Sequence, residues 1–308
     1  MVLFCLIVYE KTYPKPVTAG YIIKRNDKTI KGKPDVIVCF VYLWSVKIRG
    51  FYKLYKIDKM ERKEDRYSRN RLFVTPEEQS QIAQCKLFFG GSGLGSNIAE
   101  CALRFGFENI CIVDGDTIEL SNLNRQNYVN ENIGYNKSEV LCNRLRAINP
   151  NANITYVVDF LNADNISEYL ADASIAINAL DFVSDVPCLF DEYCIEHKIP
   201  VLHPYNLSLA GFVTIVDRKE SLLSQLGDWN NFELKMGNFI ISNLKKKGES
   251  IHWLANIVKI LKEENKKPLP QLSIGSWITA GLCVNLLFKI ATGKKYKSFP
   301  EYYYLSSM

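Results

Sequence analysis

Gly90-Gly91-Ser92-Gly93-Leu94-Gly95-Ser96 separates a short apolar run, Lys86–Phe89, from a segment, Asn97–Phe105, whose Ile98, Ala99, Ala102 and Phe105 share one helical face. A strand, a glycine-rich turn and a helix in that order present backbone N–H groups and the positive end of a helix dipole to a phosphate. The next strand-like run, Asn109–Val113, ends at Asp114, about twenty residues on, where a carboxylate can accept from a ribose. In the G-x-G-x-x-G spacing begun at Gly90 the middle position is Ser92, where approach to a pyrophosphate bridge calls for glycine. The turn therefore points to a mononucleotide over a dinucleotide. By itself it also admits a tight connection that holds nothing.

Outward from this turn, strands and helices alternate, the signature of a parallel sheet with helices on its faces. The pattern predicts a helix near 136–148 with Leu141, Leu145 and Ile148 on one side, a strand Ile154–Phe160 and a helix Asp164–Leu170. A strand Ser174–Ala179 then delivers Asp181 to its C-terminal edge, followed by a helix near 185–197 and strands near 199–203 and 211–216. Residues 219–265 read as an amphipathic helical insertion, with Ile251, Leu254, Val258 and Leu261 on one face. Gly275–Ile290 is apolar nearly all round and reads as a buried helix stopped by Gly293. The fold class expected is α/β: a Rossmann-like, mostly parallel sheet with helices on both faces and a C-terminal helical appendage. Residues 75–308 form this domain and 59–74 a polar linker or arm. Residues 1–58 form a short β-rich extension, with strand-like runs at Leu3–Tyr9, Gly20–Ile23 and Asp35–Lys47.

Composition narrows the function classes. The chain has 308 residues, 47% hydrophobic and 23% charged, enough to bury a large core, which excludes a wholly disordered chain. Its longest apolar run, Val36 to Val46, falls short of the roughly 18 residues that cross a bilayer, so no membrane role is expected. Residues 1–60 carry 12 Lys/Arg against 4 Asp/Glu, but without an amphipathic stripe, and a solvated face is expected there, not a nucleic-acid partner. None of the nine cysteines stands in a C-x-x-C pair, so no zinc ribbon is expected. Most lie in apolar segments, as reduced core cysteines of a cytoplasmic protein do. His197, His203 and His252 fall on different elements, which favours packing or surface roles over ligation.

The stretch after Asp114 narrows the chemistry further. Asp114-Gly115-Asp116 is followed by Ser121-Asn122-Leu123-Asn124-Arg125-Gln126 and by Lys137 at a helix start. Hydride transfer has no need of two cations beside the nucleotide. Expulsion of pyrophosphate does, because negative charge grows on the departing phosphate and fixed cations must meet it. Asp181, at a neighbouring strand end, is placed to hold Mg²⁺ against those phosphates.

These segments together resemble the ThiF/MoeB/HesA family, bacterial relatives of ubiquitin-activating enzymes. The resemblance runs from Arg66 to about Gly293. It rests on Arg66-Tyr67-Ser68-Arg69-Asn70, Gly90–Ser96, Asp114-Gly115-Asp116, Ser121–Gln126, Gly134 to Lys137, Asp181 and the late Ile274-Gly275-Ser276. It implies an ATP- and Mg²⁺-dependent adenylyltransferase that activates the C-terminal carboxylate of a ubiquitin-like sulfur carrier protein or a peptide. Gly91, Gly93, Gly95, Asp114, Asp116, Ser121, Asn122, Leu123, Asn124, Arg125, Gln126 and Lys137 would then bind the nucleotide. Arg125 and Lys137 would meet the phosphates, Asp181 the metal, and Arg69 would reach the partner's site across a homodimer. The family's two C-x-x-C pairs are missing, and no cysteine lies between Ile195 and Leu282, so chemistry beyond the acyl-adenylate is not expected. Three alternatives stay open: an ATP-binding module that only docks a ubiquitin-like tail, an adenylating dehydratase that cyclises a tRNA base, and an NAD-dependent oxidoreductase.

Overall fold

A computed structural model describes residues 21–25, 28–32, 66–227, 229, 232–249, 251–263 and 270–306. The chain divides into two compact units, Met1–Asp65 and Arg66–Met308. In the first, β1 (Tyr21–Arg25) pairs antiparallel with β2 (Lys28–Gly32), Tyr21 opposite Gly32. The strand runs expected at Leu3–Tyr9 and Asp35–Lys47 lie outside the described residues.

The second unit is a seven-stranded sheet in the order β5-β4-β3-β6-β7-β8-β9. β3 (Lys86–Gly90), β4 (Asn109–Val113), β5 (Asn153–Val157), β6 (Ile175–Asn178) and β7 (Val201–Asn206) run parallel. β8 (Ala210–Val216) and β9 (Tyr303–Ser306) close the edge antiparallel. Central strands are buried on both faces, so their side chains feed two cores. Leu87 and Phe89 of β3 with Ile175 and Ile177 of β6 enter one core, while Phe88 and Ala176 enter the other.

α2 (Gly93–Phe105), α3 (Lys137–Ile148) and α8 (Ser273–Ala291) cover the first face. α4 (Ile166–Leu170), α5 (Val186–Glu196), α6 (Phe232–Lys246) and α7 (His252–Glu263) contribute to the second core. α8 is long and apolar enough to cross a bilayer, yet it packs on α2 and β8 and buries Thr279, Ala280, Cys283 and Leu287. The sequence outlined these elements closely. It missed β2, the helix Pro76–Gln84 and β9, and the helical stretch 219–265 resolves into two short 3₁₀ turns followed by α6 and α7.

The described part of the arm ahead of the sheet, residues 66–74, is hydrogen-bonded to the sheet domain. Arg66 donates to the Ile148 carbonyl at 2.6 Å, and the buried Tyr67 hydroxyl donates to Glu108 Oε1 at 2.8 Å. α1 (Pro76–Gln84) then starts on a reciprocal cap, Thr75 accepting from Glu78 N while Glu78 accepts from Thr75 N.

Strand order decides where a ligand fits. From β3 the chain moves outward through β4 and β5, then returns to place β6 on β3's other side. Such a reversal opens a crevice beyond the strands' C-terminal ends. It lies here at the Gly90–Asn178 pair of β3 and β6.

Candidate active site

The glycine turn sits at that crevice, and α2 begins inside it, at Gly93. Gly91 has φ +89, and a Cβ there would stand 2.6 Å from the Ala179 carbonyl oxygen, so only glycine lets the β3 and β6 ends approach. Ser92 turns its side chain inward: its N–H and hydroxyl donate to Asp114 Oδ2 at 2.6 and 2.7 Å. Asp116 N–H donates to Asp114 Oδ1 at 2.8 Å. Three of roughly four acceptor positions on this carboxylate are thus filled by its own loop, leaving about one for a ligand. The buried Tyr128 hydroxyl donates to the Ser92 carbonyl at 2.8 Å, and Ser138 Oγ to the Asp114 carbonyl at 2.9 Å.

The cations follow. Lys137, at the first position of α3, is buried and pairs with Asp116 Oδ2 at 2.9 Å. Arg125 is held by Gln271 Oε1 at 2.6 Å, the Ser121 carbonyl at 2.9 Å and Asn124 Oδ1 at 2.8 Å. Asn124 in turn donates to the Gln271 carbonyl at 3.0 Å. Desolvation lowers the Arg125 pKa and Asp181 opposes that, while a guanidinium stays charged throughout. Asp181 is open to the cleft, but the walls around it desolvate its carboxyl and raise its pKa. Lys137 and Arg125 pull that value down, and Asp116 and Asp114 push it up.

These groups line one cleft of about 750 Å³. Gly91, Gly93, Asp114, Asp116, Arg125, Gln126, Lys137 and Asp181 all face it. Five expected nucleotide contacts stand off its walls. Gly95 packs under Phe89, Asn122 is buried and accepts from Glu119 N–H at 3.0 Å, and Leu123 packs on the core. Ser121 and Asn124 act on Arg125, which they hold by the bonds above. Arg69 is exposed on a 3₁₀ turn, Ser68–Asn70, beside Leu72 and Phe73, which are 102% and 88% exposed.

Several features gave no sequence signal. Glu100 on α2 accepts from Arg104 of its own helix, from Arg144 of α3 at 2.6 Å and from Asn127, two residues past Arg125. One carboxylate thereby ties together the three elements that carry the glycine turn, Arg125 and Lys137. Across the cleft, Phe182 stacks on Phe232 of α6 at 4.0 Å, with Met236, Ile240, Leu254 and Val258 behind. His203 Nε2 and Asn178 Nδ2 both bond Asp191 Oδ1, at 2.8 and 3.0 Å, and all three side chains are buried. A sequence hint existed only in the polar His203, Tyr205 and Asn206 on an otherwise buried strand end. Cys188 and Cys194 on α5 are unsuited to attack, since burial pushes the Cys188 thiol up to about 11 and Cys194 higher still.

The arrangement suits a polyphosphate: backbone amides and two cations on one wall, a solvent-facing carboxylate opposite. A sequence profile described as the ThiF family matches residues 67–307. Among curated proteins, the tRNA threonylcarbamoyladenosine dehydratase of Escherichia coli is 37% identical over 115 residues, covering 37% of this chain and 42% of that protein. The sulfur carrier protein ThiS adenylyltransferase of Bacillus subtilis is 33% identical over 144 residues, covering 45% of this chain and 43% of the relative. The chain thus spans less than half the length of these two curated relatives. Escherichia coli MccB, solved with ATP, superimposes with a TM-score of 0.59 at 19% identity, over 80% of this chain and 70% of that one, a likeness of fold.

Proposed function

The chain belongs to the ThiF family, and from that premise we propose that it is an ATP-dependent adenylyltransferase acting on a C-terminal carboxylate, of a ubiquitin-like sulfur carrier protein or of a peptide. The observation that carries this reading is the convergence of Arg125, Lys137 and Asp181 on the cleft at the glycine turn. The carboxylate oxygen attacks the α-phosphorus, the bond to the β-phosphate oxygen breaks, and pyrophosphate leaves. An acid already ionised near neutral pH needs no general base. Orientation and charge neutralisation are sufficient.

In this reading the free acceptor position of Asp114 takes the ribose, and Lys137 moves from Asp116 to the phosphates. Arg125, braced by Gln271, Ser121 and Asn124, meets the charge on the leaving pyrophosphate. Mg²⁺ fits the donor set: it binds through one or two carboxylates plus phosphate oxygens and water, and Asp181, unlike Asp114 and Asp116, is not already bonded to its own loop or to Lys137. When bound, the ion supplies charge neutralisation at the phosphates. In this reading Arg69 enters a partner's site in a homodimer, and the exposure of Arg69, Leu72 and Phe73 supports it. The buried free thiols fit a reducing, cytoplasmic compartment.

ATP–pyrophosphate exchange tests the proposal. Exchange driven by a glycine-tailed carrier or a peptide acid is expected; none with any protein, peptide or tRNA acid would overturn it. The 37% identity to a tRNA threonylcarbamoyladenosine dehydratase supports a second reading, in which the acid sits on a tRNA base. AMP formed with modified tRNA alone would establish that one. ATP bound without AMP release would leave a docking module.

A further inference from the structure

Buried polar atoms on the floor of the cleft deepen the adenylation reading and rest on it. Asn178 donates both amide hydrogens, to the Pro187 carbonyl at 2.9 Å and to Asp191 Oδ1 at 3.0 Å. Two acceptors on one side fix which end of the amide is nitrogen. Its oxygen therefore faces the other way, and that oxygen is buried with no partner among the described residues. The Tyr205 hydroxyl is likewise buried and unpartnered. Asn178, His203 and Tyr205 all line the cleft, beside Phe182, Phe232 and Met236. Native proteins leave few such atoms unbonded, and a cleft holding two of them is shaped for something that bonds them.

We infer that Asn178 and Tyr205 form a side-chain subsite for the last residue of the acid substrate, and that this residue carries a short neutral side chain with an N–H or O–H group, a carboxamide or a hydroxyl. The Asn178 oxygen only accepts, so its ligand must donate, while the Tyr205 hydroxyl can complete the pair in either sense. An acidic side chain is disfavoured by Asp191 beneath and by Glu233 and Asp181 on the same walls. A cationic side chain is drawn toward those carboxylates, but at the two unbonded atoms themselves it would trade its water for neutral partners. A glycine tail would leave both atoms unbonded. Asn178 and Asp181 are three residues apart, no more than about 11 Å of extended chain. A terminal residue with its carboxylate near the Asp181 end can thus reach the subsite with its side chain.

The test is pyrophosphate exchange by the full chain over peptide acids identical but for the last residue: Asn, Gln, Ser, Thr, Gly, Ala, Leu, Asp and Lys. Exchange is expected to favour the amide and hydroxyl acids over Ala, Leu and Gly by about tenfold or more. Tyr205→Phe, which removes a single oxygen, should bring that ratio down toward one. Equal or better exchange with the glycine acid, or a preference for Lys or Asp, overturns the inference. So does a preference that Tyr205→Phe leaves intact, since the nest then holds only water. Should the variant fail to fold, the series on the unaltered protein decides alone. Exchange with none of these peptides overturns the subsite, and the adenylation reading falls with it only when glycine-tailed carriers and tRNA acids also give no exchange; exchange blind to the last side chain overturns the subsite alone.

Discussion

The two walls of the cleft are built by opposite means. The wall at β3 and β4 is polar and local. Ser92, Asp114 and Asp116 lie within twenty-five residues and bond one another through short loops. The wall at β6, β7 and α6 is assembled from afar. Phe182 meets Phe232 at 4.0 Å, and Asn178, Asp191 and His203 converge from two strands and a helix. One wall has the chemistry that any nucleotide requires, and the other the shape that one particular acid requires. Binding and choice are therefore expected to separate under mutation.

The sharpest break comes from the charged wall. Asp181→Ala and Arg125→Ala should each lower exchange by about 10²–10³-fold, the usual loss when one fixed group facing developing charge is removed. Melting temperatures should change little, because both side chains end at the open cleft; unfolded variants would contradict the assignment. On the other wall, Met236→Ala empties a buried position beneath Phe232 and should destabilise by about 2–3 kcal/mol. Steady-state kinetics should show the KM of the acid rising and the KM of ATP unchanged. Equal shifts in both would erase the distinction between the walls.

Glu100→Gln is a milder probe of the bracing behind the charged wall. Burial pushes the Glu100 pKa up, but Arg144, Arg104 and Asn127 prevail and hold it below the ordinary 4.5. Its contribution to stability is therefore whole above pH 4.5 and fades as pH falls through the lowered value. Denaturant titration should show the variant weaker by about 1–2 kcal/mol at neutral pH, with the gap shrinking in acid. A gap that widened in acid would contradict the network. The smallest effect belongs to Ser92→Ala, about 1 kcal/mol from the lost hydroxyl bond to Asp114, with ATP bound a few-fold less tightly.

The same contrast sets what a sequence can reveal. Gly91, Asp114, Lys137 and Asp181 are legible because each follows a strand or opens a helix at a spacing that backbone geometry imposes. Ser92 was legible as a departure, but not its use, since only the folded loop aims the hydroxyl at Asp114. Glu100 reads as one more exposed helix charge until Arg144 arrives from α3. β9 was missed because Tyr303 pairs with Val213, ninety residues earlier, and a four-residue strand carries little pattern of its own. Tyr205 and Asn178 read as ordinary strand residues; only tertiary packing leaves their polar atoms without partners.

A crystal structure with a non-hydrolysable ATP analogue and Mg²⁺ tests the central claim most directly. The ribose should lie against Asp114, the triphosphate between Arg125 and the ion at Asp181, and Lys137 Nζ should have left its 2.9 Å pairing with Asp116 for a phosphate oxygen. A nucleotide seated elsewhere, with that pairing intact and Arg125 away from the phosphates, would contradict the account.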